Sequence, residues 1–429
     1  MHRSQTRARW AGPSGRWALL VLVLAGLAGW LSRLTGRGAG GTMPGRVAMW
    51  LVPDMLRRLA VGRRTVLVSG TNGKSTTTRL LAAAVASRGA VVTNADGANL
   101  RSGLITALMR DRHGTATAVL EVDEVALPDV LAATGADVVV LLNLSRDQLD
   151  RVGEVAAHGT RWAAALEQAP HARVVANADD PLVVTAVRHA RPTESDVVWV
   201  AAGAPWRADA ALCPECGDAW DTAAAPWRCA ACGLAAPAAR WKQLDGHVVS
   251  TAGDCSPLRL GLPGRANAAN ALMAAAAADL LAIPLEVGLS GMRGVREVDG
   301  RYLSVVVAGK RVRLLLAKNP AGWQEVLDQV AEIPGRVLVG VNARDADGVD
   351  PSWLWDVPFE RLRGRDVVVF GECALDLSVR LFYGEVPHVV QPDIAAAIVA
   401  ADTPELVVVA NYTAFVRARS VVRSGAAAA

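Results

Sequence analysis

The chain has 429 residues, 52% hydrophobic and 20% charged, with 45 basic residues against 41 acidic ones. So apolar a chain can bury large cores and is not globally disordered, and its length suits two or three domains. A net charge of +4 is far below what a protein that coats nucleic acid carries. Only four basic residues are lysines, and two of them, Lys74 and Lys318, sit inside motifs.

Trp17 to Leu31 is an uncharged apolar run of fifteen residues between Arg16 and Arg33. A spanning helix needs about 20 apolar residues. The run also has the look of a signal-peptide core behind a basic start. The phosphate loop that follows needs nucleotide, which an exported chain would lack, so the expectation is a buried or membrane-touching helix in preference to a true anchor. Gly36 to Gly41 forms a glycine-rich joint, and residues 1–43 are read as helix plus linker.

From Thr65 the pattern becomes strand, glycine loop, helix: TVLVSG, TNGKS, TTTRLLAAAVASRG. The apolar runs AVVTN, TAVLEV, ADVVVLLNL and ARVVANA follow, with helical stretches between them, which predicts a parallel sheet in an α/β domain over 44–299. Residues 204–242 break that rhythm with four tryptophans and four cysteines, and read as an inserted module. The runs RYLSVVV, RVRLLLA, GRVLVGV, DVVVFG and LVVVAN predict a second, smaller α/β domain over 300–429.

The strongest motif is Gly70-Thr71-Asn72-Gly73-Lys74-Ser75-Thr76, placed after an apolar strand and opening a helix. Glycines let backbone N–H groups close around phosphate oxygens, and the helix N-terminus adds positive potential. Lys74 is expected to reach the outer phosphates and Ser75 to hold Mg²⁺. Glu121 closes the run TAVLEV, where an acid beside a phosphate loop can bind the magnesium; Asp123 and Glu124 are either part of that site or ordinary exposed acids.

Cys213, Cys216, Cys229 and Cys232 have the spacing C-x₂-C-x₁₂-C-x₂-C, each pair ending in Gly. Four thiolates can close a tetrahedral structural Zn²⁺ site, and paired CxxC units in a chain with a nucleotide loop point to a reducing, cytoplasmic compartment. The only basic residue between Cys213 and Cys232 is Arg228, against Glu215, Asp218 and Asp221, so no nucleic-acid partner is expected. Later, Asp347-Gly348-Val349-Asp350 followed by Ser352, Trp353, Trp355 and Asp356 is either a site at a strand's carboxyl end or a turn with surface tryptophans.

These residues together resemble the Mur ligase superfamily, ATP-dependent amide-bond formers. The likeness rests on GTNGKST, Glu121, Asn177-Ala178-Asp179-Asp180-Pro181, Gly264-Arg265-x-Asn267-x-x-Asn270, Gly300-Arg301 and Ala317-Lys318-Asn319-Pro320. Within it the chain looks most like the MurT family, ligase subunits of lipid II isoglutaminyl synthase, which work with GatD, a class I glutaminase. That closer likeness uses Asp96-Gly97-Ala98-Asn99, Arg146-Asp147-Gln148-x-Asp150-Arg151, the four-cysteine insertion, DADGVDPSWLWD and Asn411-Tyr412-Thr413.

The resemblance implies a P-loop Mur ligase central domain, a zinc-ribbon insertion and an α/β C-terminal domain that contacts the glutaminase. Lys74, Ser75 and their neighbours would bind ATP, Glu121 would bind Mg²⁺, Asn267 would sit near the adenine and Arg301 at the terminal phosphate. Asp350 would complete a Cys-His-Asp triad on the partner. The implied reaction is amidation of the D-glutamate α-carboxylate of lipid II at the inner face of the membrane. The rival within the superfamily is an amino-acid-adding or folylpolyglutamate-type ligase. Those ligases carry His where Gln148 stands and a carbamylated Lys further on, whereas no Lys lies here between Lys74 and Lys242.

Overall fold

The computed structural model describes residues 13–34, 42–94, 97–111, 114–146, 155–191, 193, 196–203, 208–220, 226–298 and 302–427. These form two compact units: the described residues of 1–144, 155–261 and 266–296 make the first, and those of 145–154, 262–265 and 297–429 the second.

The first unit is built on nine strands: β1 (Thr65–Ser69), β2 (Val91–Val92), β3 (Thr117–Glu121), β4 (Val138–Leu141), β5 (Arg173–Asn177), β6 (Val197–Ala201), β7 (Trp241–Leu244), β8 (His247–Ser250) and β9 (Cys255–Pro257). Their order is β2-β3-β1-β4-β5-β6-β7-β8-β9. Pairing is parallel as far as β7 and antiparallel through β8 and β9. β1 is buried at all five positions, as a run of β-branched and aliphatic residues covered on both sheet faces must be. It sits between β3, where Val68 pairs with Glu121, and β4, where Ser69 pairs with Leu141. The chain passes from β1 to β2 on one side, returns through β3, and crosses over β1 to β4 on the other, so the strand order reverses around β1 and the loop after it opens where such folds bind ligands.

The apolar run near the N-terminus lies in a helix, Pro13–Leu34. One face packs into the first unit's core through Val21, Leu22 and Ala25, together with Ala48, Leu56 and Leu104. A Cβ on Gly29 would strike the ring of Pro44, and one on Gly45 would strike the carbonyl of Ser102, so both glycines are needed for helices Pro13–Leu34, Met43–Leu51 and Arg101–Leu108 to approach this closely. Among the described residues no helix is long and apolar enough to cross a membrane.

The second unit holds β10 (Tyr302–Val307), β11 (Lys310–Leu316), β12 (Arg336–Gly340), β13 (Val367–Phe370), β14 (His388–Val390) and β15 (Glu405–Ala410), in the order β10-β11-β15-β12-β13-β14. Only β10 with β11 is antiparallel. Strand alternation divides its apolar residues between two cores. Val337, Val339, Val367, Val369, Val407 and Val409 face one. Leu338, Val368, Leu406 and Val408 face the other.

Candidate active site

The loop from Gly70 to Gly73 joins β1 to helix Lys74–Ala86. Gly70 and Gly73 have φ of 143° and 83°, conformations that side chains strain. A Cβ on Gly73 would also collide with Asn270 Oδ1. Asn143, just beyond β4, fixes the loop: its carbonyl accepts from Thr71 N at 3.0 Å, and its side chain accepts from Asn72 N at 2.8 Å. The Asn143 amide also donates to Asn72 O at 3.1 Å.

Lys74 is nearly buried. Its ammonium donates to the carbonyls of Gly70 (2.6 Å) and Thr71 (3.1 Å) and to Glu124 Oε2 (2.9 Å). Burial works to raise the Glu124 carboxyl, but the charge and hydrogen bond of Lys74 outweigh it and hold it below the ordinary carboxylate range. Asp123 is pushed up by burial and by the neighbouring Glu124 charge. Ser75 and Thr76 lie in the first turn of the helix.

Glu121 is buried at the end of β3, its backbone clamped by Asn94, which accepts from Glu121 N and donates to Glu121 O, both at 2.8 Å. Asn99 donates to Glu121 Oε1 at 3.3 Å. Asn270, in helix Arg265–Leu280, accepts from Thr77 Oγ1 at 3.2 Å. Asn267 lies three residues earlier on that helix, so it shares the face that approaches the loop. The structure therefore brings together Gly70 to Thr76, Glu121 and the helix carrying Asn267. Arg301, Asp96 and Gln148 lie outside the described residues.

Sequence reasoning left Glu124 open and did not single out Asn94, Asn143 or His158. His158 is buried on helix Val155–Glu167 with burial pulling its pKa down, Glu124 and Asp123 opposing, and its Nδ1 without a hydrogen-bond partner. Asp180 caps helix Pro181–Ala190 by accepting from Leu182 N and Val183 N, and it also accepts from Leu144 N at 2.9 Å. Burial raises its pKa to about 6.

The four cysteines lie between β6 and β7, and their sulfurs all fall within 4.8 Å of one another. Cys213 and Cys232 Sγ are 3.6 Å apart, Cys216 and Cys229 Sγ 3.7 Å. Tetrahedral zinc with Zn–S near 2.3 Å sets sulfurs about 3.8 Å apart, so the donor set fits such an ion. Each CxxCG turn closes in the same way: Gly217 N donates to Cys213 O and Gly233 N to Cys229 O, both glycines at positive φ. Beneath them Trp227 is buried edge-on to Trp220 and donates to Ala178 O.

In the second unit, Asp350 is exposed and caps the short helix Pro351–Asp356, accepting from Ser352 N and Ser352 Oγ, both at 2.8 Å. Those bonds hold its carboxyl below the usual range. Nearby Asp347 is buried and accepts from Thr413 N at 2.9 Å and from Thr413 Oγ1, while Asn342 and Asn411 bridge the ends of β12 and β15. A cavity of about 150 Å³ lies here, with Arg146, Lys318, Asp347, Asp350, Ser352 and Asp356 on its wall. Of the tryptophans expected on a surface turn, Trp355 is exposed, whereas Trp353 packs on Trp323 at 6.2 Å between centroids.

Residues 68–278 match the Mur ligase middle domain, and residues 316–415 match the MurT ligase C-terminal domain. The chain is 30% identical over 363 residues to the lipid II isoglutaminyl synthase (glutamine-hydrolyzing) subunit MurT of Streptococcus pneumoniae, a span of 79% of each chain. It is 29% identical over 406 residues to the subunit of the same name from Staphylococcus aureus strain COL, covering 87% of this chain and 90% of that one. Among solved structures, a pseudomurein peptide ligase type C from Methanothermus fervidus superposes with a TM-score of 0.67 at 19% identity, over 87% of this chain and 81% of the other, a likeness of fold alone.

The match over residues 68–278, which contain the phosphate loop, and the 30% identical relative place the chain among the Mur ligases. More narrowly, the chain belongs to the MurT family of that superfamily, as the C-terminal match and the two MurT relatives establish.

Proposed function

We propose that the chain amidates lipid II in peptidoglycan synthesis, converting the α-carboxylate of D-glutamate to the amide of D-isoglutamine. The reading is carried by one combination: an intact phosphate loop and a MurT-type C-terminal region in a single chain. The substrate carboxylate attacks the γ-phosphorus of ATP, ADP leaves, and an acyl phosphate remains. Ammonia then attacks the acyl carbon, inorganic phosphate leaves, and the surplus proton passes to phosphate or solvent.

The chain's own residues act by position and charge. Lys74, freed from Glu124 or shared with it, faces the outer phosphates, and Arg301 is assigned to the terminal phosphate. The backbone from Gly70 to Thr76 cradles the phosphates, and Asn267 borders the adenine. Ser75 and Glu121 are the assigned holders of Mg²⁺, which when bound supplies charge neutralisation at the β- and γ-oxygens. Cys213, Cys216, Cys229 and Cys232 are assigned a structural Zn²⁺.

Ammonia is assigned to a GatD-type glutaminase that docks on the 300–429 domain and borrows Asp350 as its third triad member. Asp350 suits that role because it is exposed, ionised and oriented by Ser352. The reaction is placed in the cytoplasm at the inner face of the membrane, where a lipid-linked substrate lies.

The test uses purified protein, lipid II, Mg-ATP and concentrated ammonium, which bypasses the partner, with the product read by mass spectrometry. Replacement of –OH by –NH₂, dependent on ATP and lost in Lys74→Ala, is the expected result. Addition of an amino-acid residue mass instead would move the chain to the amino-acid ligases.

A further inference from the structure

Helix Pro13–Leu34 has two apolar faces, and among the described residues one of them is covered. Val21, Leu22, Ala25 and Gly29 face inward onto the first unit. Trp17, Leu20, Val23, Leu24 and Leu27 point outward, each between 43% and 52% exposed, at spacings that place them along one stripe of the helix. The neighbouring helix Met43–Leu51 adds exposed Met43 and Trp50. An apolar stripe of this length left in water marks an interaction surface.

Charge selects its occupant. Residues 1–53 hold seven arginines, Arg3, Arg7, Arg9, Arg16, Arg33, Arg37 and Arg46, and no Asp or Glu; the first acid is Asp54. Leucines, valine and tryptophan on one side of a helix, inside a purely basic stretch, are the composition that seats in the headgroup region of an anionic bilayer. The outward stripe contains no hydrogen-bonding side chain apart from the Trp17 indole, whereas a protein interface of comparable length carries several. The inward face packs on protein, and the apolar run is shorter than the about 20 residues a span needs, so the helix suits lying along a surface better than crossing it.

We propose that the face formed by Trp17, Leu20, Val23, Leu24 and Leu27 docks the protein peripherally on an anionic phospholipid surface, with helix Pro13–Leu34 lying along it. The proposal deepens the lipid II reading, and rests on it only for the identity of the substrate that such docking would bring within reach. Attachment of the enzyme to the membrane plane replaces a three-dimensional search for a lipid-borne substrate by a search along the surface.

The test is flotation of the full-length chain with vesicles of phosphatidylcholine alone, or of phosphatidylcholine with about one third phosphatidylglycerol. The expected result is binding to the phosphatidylglycerol vesicles that weakens in high salt and falls about tenfold or more in Leu20→Ser/Leu24→Ser/Leu27→Ser. That variant should keep the wild-type unfolding midpoint, and it should amidate a short-chain, water-soluble lipid II analogue with ammonium at the wild-type rate. Arg16→Gln/Arg33→Gln, which leaves the apolar stripe intact, should lose only the phosphatidylglycerol-dependent part of binding.

No flotation of the wild type, or equal flotation of the triple serine variant, overturns the proposal. So does a dimer that the same serines dissolve while no vesicle binding is seen, since the stripe then belongs to a second copy. Retention in cell membranes through alkaline carbonate overturns peripheral attachment in favour of crossing. Failure of the soluble analogue to be amidated while vesicle binding persists sinks the functional reading and leaves the docking intact.

Discussion

Lys74 Nζ lies 2.9 Å from Glu124 Oε2, across 50 residues of sequence, with 7% and 12% of the two side chains exposed. The carboxylate supplies a negative charge of the kind that a phosphate would bring to the same ammonium. Removing one member of so shielded a pair leaves the other uncompensated, at a cost of about 3–5 kcal/mol. Glu124→Gln is therefore expected to lower stability by about that much, with Mg-ATP restoring more of the unfolding midpoint in the variant than in the wild type. Equal nucleotide shifts in the two proteins would show that Lys74 does not exchange Glu124 for phosphate.

The same pair sets an acid limit. The folded-state pKa of Glu124 is depressed, so its contribution to stability is present above the ordinary carboxylate value of about 4.3 and is lost as pH falls through the lower folded value. Denaturant unfolding across the acid range should show this loss in the wild type and not in Glu124→Gln.

Asp180 runs the other way. Burial raises its pKa to about 6, so its folded form holds a proton that the unfolded chain releases near 3.9. Stability from this group is full below about 3.9 and declines as pH rises towards about 6. In Asp180→Asn that decline should vanish. The variant should also be less stable overall by about 1–3 kcal/mol, because the amide nitrogen cannot accept from Leu144 N, Leu182 N and Val183 N as two carboxylate oxygens do. A pH-stability curve of unchanged shape would reject the assignment.

What the sequence disclosed follows contact range. The phosphate loop, the CxxCG turns and the apolar runs that form β12, β13 and β15 are written in consecutive residues, and each takes the local conformation its residues predict. Glu124 could not be told from an exposed acid, because its partner is reached only when β1 and β3 pair side by side. Asn94 and Asn143 are ordinary loop residues until strand order places them beside Glu121 and Asn72. The DADGVD segment offered two carboxylates with no means of ranking them. Folding buries Asp347 on Thr413 and leaves Asp350 at the surface.

The sulfur quartet predicts one zinc per chain, measured by elemental analysis of the purified protein. Cys229→Ser should abolish it, since three thiolates bind far more weakly than a closed set of four. Chelation should change the fluorescence of Trp220 and Trp227, which stack edge to face at 5.3 Å beside the cysteine turns, while ammonium-driven amidation persists if the site is structural. Metal-free protein with unaltered tryptophan emission would remove the zinc assignment.

Asp350 gives the sharpest separation of roles. Its carboxylate is solvent-exposed and, among the described residues, both oxygens are engaged by Ser352, so substitution leaves no buried group unpaired and the fold should be unaffected. If the partner borrows this carboxylate to hold a catalytic histidine, Asp350→Asn should reduce glutamine-driven amidation by about two orders of magnitude or more, as loss of the acid does in other triads. Ammonium-driven amidation by the same variant should stay at the wild-type rate, because Lys74, Glu121 and the phosphate loop are untouched. Ser352→Ala keeps the charge but frees the side chain from two hydrogen bonds, so a smaller loss, again confined to glutamine, is expected. The decisive measurement is the ratio of glutamine to ammonium rates for each variant with the glutaminase present. A parallel fall in both rates would place Asp350 in the ligase reaction, and no fall in either would leave it as a helix cap.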